Sequence, residues 1–249
     1  MKLDTIKKRT ESLGSTSSAK FKQILEDENL YRYSSNFNSE ICRVVSDFKR
    51  MHAVEKFHSM KNIKYPLVTC PKSSVQKDIT CSRESIRELK KNLTTTNSTH
   101  DFVTACIAAL THRKCVVNLV NGQEIPVALT SFPGIFRQDI PSFLNRTPDL
   151  PFYSRDDKCY DSYSSIKWLV EVKRRSQGEF DDDQIGQILD MTFSLLRHHQ
   201  HEERVGIISC LTDGYRFKFF LVTRVSCSMD FIVEHSTMFE GDSGWQVRS

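Results

Sequence analysis

The stretch of sequence that decides the fold is WLVEVKRR, residues 168–175. In an extended strand successive side chains point to opposite faces, so Leu169, Glu171 and Lys173 share one face. Most of the stretch is apolar, which is typical of a central strand that is buried on both faces. Burying a charge without a partner is costly. The pair Glu171 and Lys173 therefore indicates either a salt bridge or a face that opens into a catalytic cleft.

A second carboxylate, Asp149, lies 22 residues before Glu171 and directly follows Pro148. We expect Asp149 at the start of the preceding strand, where a return of the chain brings it to Glu171. Two carboxylates at one point repel each other unless a cation lies between them. A hard ion such as Mg²⁺ takes oxygen ligands of this kind, can polarise a phosphoryl oxygen and can lower the pKa of a bound water. Lys173 can then position the water or stabilise charge on the phosphate.

The chain that follows this strand changes from strand to helix and back to strands. An acidic run predicts a helix start, because acids are favoured at the positive end of a helix. Two apolar runs around a Thr-Asp-Gly turn predict a hairpin. The predicted elements are a helix from Asp181–Asp183 to about His199, strands over 203–211, 215–224 and 229–235, and a tail over 236–249 that is an edge or frayed.

The chain that precedes the strand has mostly helical periodicity and then switches to strands. The predicted elements are helices over 21–61, 82–93 and 100–112, a loop over 62–80, and strands over 114–120, 124–130 and 143–153, with the first two strands joined at Asn121-Gly122. The predicted divisions are a flexible segment 1–20, a basic and mainly helical region 21–99, a core 100–235 and a tail 236–249. The region before residue 100 is either a separate small domain or an elaboration packed on the core.

The order of these motifs carries a resemblance to a known family. Pro148-Asp149, then Glu171-x-Lys173, then a helix with Gln184 and Gln187 resembles the PD-(D/E)XK nuclease superfamily. The similarity is closer to the nuclease modules of type I restriction subunits and to Crinkler-like and kinase-linked eukaryotic modules. It rests there on Glu-Val-Lys-Arg and on a hairpin that begins GIISCLTDGY, and it covers about residues 100–225.

The resemblance implies a restriction endonuclease-like α/β fold and a role for each residue of the motif. Asp149 and Glu171 are implied as ligands of Mg²⁺ or Mn²⁺, with the Val172 carbonyl as a further ligand. Lys173 is implied as the catalytic lysine, and nucleic acid is implied as the substrate.

Two parts of the family pattern stay open in this sequence. A glutamine on the helix after the motif usually points into the site, and both Gln184 and Gln187 are candidates. Neither is followed by the tyrosine that the family usually has four residues later. The family often has a further acid on a helix before the first strand, for which Glu84, Glu88 and Asp101 are the candidates.

Composition narrows the classes of protein that this chain can belong to. No run approaches the roughly 18 apolar residues of a membrane helix. The first 20 residues contain no apolar stretch after their charges, so they do not resemble a secretory signal. The eight cysteines include no CxxC pair. We therefore expect reduced thiols, no membrane partner, and an intracellular location in the cytoplasm or the nucleus.

Charge is distributed unevenly along the chain. Residues 1–100 contain 19 Lys and Arg against 11 Asp and Glu, whereas residues 101–249 contain 16 against 20. The basic part either grips a polyanion, as electrostatic attraction to phosphates favours, or is a solvated surface.

Two function hypotheses follow. The first is a metal-dependent nuclease acting on DNA, with RNA as the less favoured substrate. The second is a nuclease-like module that binds nucleic acid or a protein with little or no chemistry. The structural alternative is a salt bridge between Glu171 and Lys173 at the end of a strand, with Asp149 as a turn residue. The sequence leaves the oligomeric state open.

Overall fold

The computed structural model describes most of the predicted core and parts of the region before it. The residues described are 8, 18–53, 63–69, 73–79, 116–118, 124–126, 131–133, 148–154, 166–174, 178–198, 206–224 and 231–240. The helices are α1 (Ser18–Asp27), α2 (Ser35–Ala53) and α3 (Asp182–His198). The strands are β1 (Tyr31–Tyr33), β2 (Ile63–Thr69), β3 (Ser73–Ile79), β4 (Val116–Asn118), β5 (Glu124–Pro126), β6 (Ser131–Pro133), β7 (Leu150–Ser154), β8 (Ile166–Val172), β9 (Gly206–Thr212), β10 (Arg216–Arg224) and β11 (Phe231–Glu240).

One mixed sheet organises the described part of the chain. Its strand order is β1-β11-β10-β9-β8-β7-β6, with five longer strands between two three-residue edges. The pairs β8–β9 and β1–β11 are parallel, and the others are antiparallel. The parallel pair β8–β9 is joined through α3, as parallel strands require a crossover. The predicted α/β class, a mixed central sheet with flanking helices, is confirmed.

Strand β8 occupies the central position that its sequence predicts. It lies between β7 and β9, and its side chains from Trp168 to Val172 are all buried. Its carboxyl end aligns with the end of β9, because Glu171 pairs with Leu211 and Val172 pairs with Thr212. Residues that follow the two strands are therefore neighbours in space.

Helices α1 and α3 cover one face of the sheet. Each helix turns an apolar stripe toward the strands, as amphipathic helices of globular proteins do. The ring of Phe21 on α1 meets the ring of Phe193 on α3 edge to face, with centroids 5.7 Å apart. The buried residues of this core include Phe21, Leu25, Leu169, Ile188, Leu189, Phe193, Ile207, Leu211, Phe220, Val222, Phe231 and Val233.

The start of α3 is fixed by its three acids, each with a different partner. Asp181 Oδ1 accepts the backbone N–H of Gln184 at 2.8 Å, and the Gln184 side chain accepts the N–H of Asp181 at 3.1 Å, which forms a capping box. Asp182 pairs with Lys22 of α1 at 2.9 Å. Asp183 accepts the N–H of Ala19 at 3.3 Å and so caps α1. The run that predicted one helix start thus holds two helices together.

Gly186 allows the two helices to approach closely. A Cβ atom at this position would overlap the backbone carbonyl of Ser18, which is itself fully buried. Glycine inside a helix is ordinarily unfavourable by roughly 1 kcal/mol relative to alanine. The contact with Ser18 gives Gly186 a packing reason that offsets this cost.

The N-terminal region differs from the continuous helical pattern predicted over 21–61. Helix α1 begins at Ser18, three residues before the predicted start, and ends at Asp27. Asn29, two residues later, has a φ of 56° in the left-handed region, which is common just after a helix end. The three residues of β1 then pair in parallel with β11 at the sheet edge. A strand of three residues is too short to show an alternating pattern, so the sequence does not predict β1. The strand forms because it pairs with β11. The region before residue 100 was expected to be either a separate small domain or an elaboration packed on the core. Its residues 18–33 are packed on the core.

Other boundaries also differ from the predictions. The loop predicted over 62–80 is wrong, since β2 and β3 pair as an antiparallel hairpin in which Pro66 lies opposite Gln76. Proline has no N–H to donate, and an outer strand tolerates it because the backbone N–H groups on the outer side of such a strand need no partner strand. The hairpin formed by β4 and β5 is confirmed, with Asn118 opposite Glu124.

Two more differences concern the sheet edges. Residues 131–133, which follow the strand predicted over 124–130, form the separate strand β6 and pair with β7. Strand β11 continues to Glu240, so residues 236–240, the first part of the segment predicted as a tail, belong to the sheet. The helices predicted over 82–93 and 100–112 lie outside the described residues. Among the described helices, none is long and apolar enough to cross a membrane.

Candidate active site

The carboxylates of Asp149 and Glu171 meet at the ends of adjacent strands. The backbone N–H of Asp149 donates to Glu171 Oε2 at 3.3 Å. The backbone N–H of Val172 donates to Asp149 Oδ2 at 2.9 Å. The pairing of Leu150 with Val170 sets this register, so Asp149 lies directly before β7, where it was expected. The two carboxylates are thus held together by main-chain hydrogen bonds.

Glu171 is a buried acid whose protonation is shifted. Only 2% of its surface is exposed. Burial, and then the neighbouring Asp149 carboxylate, raise the pKa of Glu171 to about 7, although Lys173 acts in the opposite direction. Burial disfavours the charged form of an acid, and a second negative charge adds to the effect. This carboxylate therefore lacks enough positive charge around it to ionise at its ordinary pKa.

Lys173 is fixed at three points. Its Nζ atom donates to Glu171 Oε1 at 2.7 Å and to Gln187 Oε1 at 2.5 Å. Its backbone N–H donates to the carbonyl of Thr212 at 2.7 Å, just beyond the last paired residues of β8 and β9. The side chain remains 17% exposed. The ammonium group is therefore held from two sides and still reaches the surface of the site.

The structure separates the two candidate glutamines. Gln187 lies on the side of α3 that faces β8 and contacts Lys173 directly. Gln184 is one turn earlier, and its side chain closes the capping box with Asp181. Of the two candidates, Gln187 is therefore the glutamine that lies at the site, and Gln184 is a helix-capping residue.

The donor atoms at this site suit a hard divalent ion. Mg²⁺ is bound in proteins through one or two carboxylates and keeps several waters, and Asp149 and Glu171 supply two carboxylates. A cation between them would oppose both causes of the raised Glu171 pKa, which are burial and then the neighbouring Asp149 carboxylate. The role of the Val172 carbonyl as a third donor remains a prediction; the N–H of this residue donates to Asp149.

The structure also bears on whether a third acid joins this pair. Within the part of the chain that the structure describes, no three His, Cys, Asp or Glu side chains are grouped so that they could hold a metal ion. The upstream acids named as candidates, Glu84, Glu88 and Asp101, lie outside the described residues.

Sequence reasoning missed several groups that border the site. Thr212 binds the Lys173 backbone, and the next residue, Asp213, forms a fully buried ion pair with Arg216 at 2.6 Å. The guanidinium of Arg216 lies 5.2 Å from the centroid of the Phe180 ring, just before α3. The sequence indicates a hairpin turn at Thr212-Asp213-Gly214. The parallel pairing of β8 with β9 is what places that turn beside Lys173.

Chemically, the arrangement combines two acids, one ammonium group and one amide at the carboxyl end of a central strand. The acids can hold a cation, and the ammonium group can contact an anion beside it. Comparison of this chain with protein-family models found no match, and comparisons with curated proteins and with solved structures also found none.

Proposed function

We propose that this protein is a metal-dependent nuclease of the PD-(D/E)XK type, with a restriction endonuclease-like core, that hydrolyses phosphodiester bonds of DNA and, less favourably, of RNA. The observation that carries the proposal is the convergence of Asp149, Glu171, Lys173 and Gln187. These residues come from two strands and a helix, and hydrogen bonds of 2.5 to 3.3 Å connect them.

The two carboxylates would hold Mg²⁺ or Mn²⁺, together with the Val172 carbonyl. A bound divalent ion supplies charge stabilisation for a phosphoryl oxygen and lowers the pKa of a bound water. Glu171 must give up its proton to serve as a ligand, and its pKa of about 7 lets it do so close to neutral pH. Asp149 is kept in place by the Val172 N–H, so the ligand pair is preorganised.

Lys173 would contact the phosphate or the attacking water. Preorganised cationic donors aimed at developing negative charge are among the strongest contributors to catalysis. Gln187 holds the ammonium group against rotation, because its Oε1 accepts from Nζ at 2.5 Å. With Glu171 engaged as a metal ligand, Gln187 would still be a partner that keeps Lys173 in position.

A purely structural salt bridge explains this arrangement less well. A bridge between Lys173 and Glu171 needs only one carboxylate. Here Asp149 adds a second one, which raises the pKa of Glu171 and weakens the pair. Local arrangements that reduce stability are typical of functional sites.

The second candidate is a nuclease-like module that binds nucleic acid or a protein and has little or no activity. It is favoured by the missing tyrosine of the family pattern, since Met191 stands four residues after Gln187. The basic charge of residues 1–100 would serve binding in either case.

The two candidates are separated by incubating the purified chain with supercoiled plasmid, single-stranded DNA and RNA, each with Mg²⁺, Mn²⁺ or EDTA. The nuclease proposal predicts cleavage of DNA with either metal and none with EDTA. An Asp149→Asn variant prepared in parallel should not cut. Binding without cleavage under every metal condition would favour the second candidate, and cleavage that survives Asp149→Asn would indicate a contaminating enzyme.

A further inference from the structure

The turn between β9 and β10 contains an ion pair that a hairpin turn does not require. Oδ1 of Asp213 accepts the backbone N–H groups of Tyr215 and Arg216 at 3.0 and 2.7 Å. Oδ2 accepts from Nε and Nη2 of Arg216 at 2.9 and 2.6 Å. A short turn needs only the backbone bonds and a glycine in the left-handed region, which Gly214 provides with a φ of 80°.

Stability alone is a poor explanation for this pair. Asp213 is fully buried and Arg216 is 8% exposed, so both charges have left water. Removing an ion from water costs several kcal/mol even after relaxation, and buried pairs can often be replaced by apolar residues without loss of stability. The pair is better understood through the groups that it fixes.

The first connection runs from the pair to the backbone of Lys173. The residue before Asp213 is Thr212, whose carbonyl accepts the N–H of Lys173 at 2.7 Å. The Thr212 hydroxyl accepts the N–H of Gly214 at 3.0 Å, so the same residue is also held within the turn. Any change in the path of the turn would move the Thr212 carbonyl, to which the Lys173 N–H is hydrogen-bonded.

The second connection runs from the pair to the side chain of Lys173. The guanidinium of Arg216 lies over the ring of Phe180, 5.2 Å from its centroid, and Phe180 is 5% exposed. Phe180 directly precedes Asp181, the first residue of the capping box of α3. One and a half turns further along this helix, Gln187 accepts the Lys173 ammonium group at 2.5 Å. The position of Gln187 therefore depends on where Phe180 is anchored.

We infer that Asp213 and Arg216 are a positioning pair for Lys173, which fixes its backbone through Thr212 and its ammonium group through Phe180 and Gln187. The inference rests on the proposed function, because it assigns Lys173 the role of the reacting lysine.

The test is a double variant that removes both charges together. Asp213→Asn keeps an oxygen for the two backbone N–H groups of the turn, and Arg216→Met keeps much of the volume of the side chain. The matched control is Arg32→Met with Glu234→Gln, which removes the partly exposed ion pair between β1 and β11. Both variants are measured as full chains against the wild type.

We expect the double variant to fold and to bind Mn²⁺ like the wild type. Its kcat for DNA cleavage should fall about tenfold or more with KM little changed, because a displacement of 1 Å in a reacting group costs up to ~100-fold. The side-chain amide signal of Gln187 in the ¹H–¹⁵N spectrum, assigned by its loss in Gln187→Ala, should also move. In the control variant both readouts should match the wild type.

An unmoved Gln187 amide signal in the double variant would overturn the inference, whatever the activity. A moved signal with a wild-type kcat would overturn it as well. A wild-type chain that cuts nothing would instead defeat the proposed function, and the amide signal would still decide whether the pair positions Gln187 and Lys173. If the double variant does not fold, Arg216→Lys replaces it and is measured with the same readouts. This variant keeps the positive charge but loses the two-nitrogen contact with Asp213 and the guanidinium contact with the Phe180 ring.

Discussion

Gln187 Oε1 lies 2.5 Å from Lys173 Nζ, although the two residues belong to different elements and Gln184, one turn earlier, faces Asp181 instead. The two glutamines thus form a matched pair on one helix. One contacts the proposed reacting lysine, and the other caps the helix.

We expect Gln187→Ala to lower the rate of DNA cleavage about tenfold or more, because the lysine loses the partner that orients it. Gln184→Ala should leave the rate unchanged at 25 °C and should lower the free energy of unfolding by ~1 kcal/mol through loss of the cap. Cleavage rates and urea unfolding of both variants provide the measurement. Equal effects of the two substitutions on cleavage would contradict the assignment.

Lys173→Ala should give a folded, metal-binding protein that does not cut. Without the lysine, Glu171 can take up a proton or bind the metal ion, so folding should be little altered in the presence of Mn²⁺. Cleavage should fall by a factor of hundreds or more, as when a group that stabilises the transition state is lost. The measurements are circular dichroism, Mn²⁺ binding and cleavage.

Lys218→Met is the matched control for Lys173→Ala. Lys218 is a half-buried lysine on β10. It pairs with Leu211 of β9 from one side, and Glu171 of β8 pairs with Leu211 from the other side. Its replacement should leave cleavage intact. If Lys173→Ala instead loses ~3–5 kcal/mol of stability even with metal present, the salt-bridge interpretation is the better one.

A divalent ion should raise the thermal midpoint of the wild-type protein, because a ligand that binds only the folded state stabilises that state. Asp149→Asn should abolish most of the rise produced by Mg²⁺ or Mn²⁺, since one of the two carboxylates is lost. Differential scanning fluorimetry over a metal titration measures this effect. An equal response in the variant would remove Asp149 from the site.

The raised pKa of Glu171 predicts how stability depends on pH without metal. Its ordinary pKa is 4.5, and in the folded protein it is about 7, so the folded state holds the proton more tightly. The contribution of Glu171 to stability is therefore greatest below pH 4.5 and is lost as the pH rises to about 7, by ~3 kcal/mol. In EDTA, the stability of the wild type relative to Glu171→Gln should decline over this range. A flat difference between the two proteins would show that Glu171 ionises normally.

Gly186→Ala should destabilise the protein, although alanine is ordinarily better inside a helix by roughly 1 kcal/mol. The new Cβ would overlap the Ser18 carbonyl, which is backbone and cannot rotate away. Forcing an extra carbon into such a contact should cost ~2 kcal/mol or more. Thermal and urea unfolding test this expectation, and an unchanged or higher midpoint would mean that α1 is not seated against α3 at Gly186.

The central features were predictable because they depend on local pattern. The apolar run around Glu171 specified a central buried strand, and Pro148 marked the start of the neighbouring one. The acidic run at Asp181–Asp183 and the Thr-Asp-Gly turn are local signals, and both lie where the sequence placed them. Gln187 was among the candidates through the family resemblance.

What could not be predicted depends on partners that are distant in sequence. Strand β1 exists because β11 offers it an edge, and nothing within YRY indicates a strand. The choice between Gln184 and Gln187 depends on which side of α3 faces Lys173. The role of Asp213 beside the site depends on the parallel pairing of β8 and β9.

A deletion of residues 1–99 would remove Phe21 and Leu25 from the core, so it is not a clean test of the basic charge in that region.

The edge pairing of β1 with β11 has a consequence for the order of folding. Arg32 lies against Glu234, 202 positions later in the chain, and the α1 segment just before it contacts a helix that begins at Asp182. During synthesis these first elements leave the ribosome long before their partners exist. Contacts between such remote segments make folding slow, because the loop between them must close first. Elements α1 and β1 are thus made before their partners α3 and β11 and dock only after those partners exist, so the brace that α1 gives to the helix carrying Gln187 forms only then.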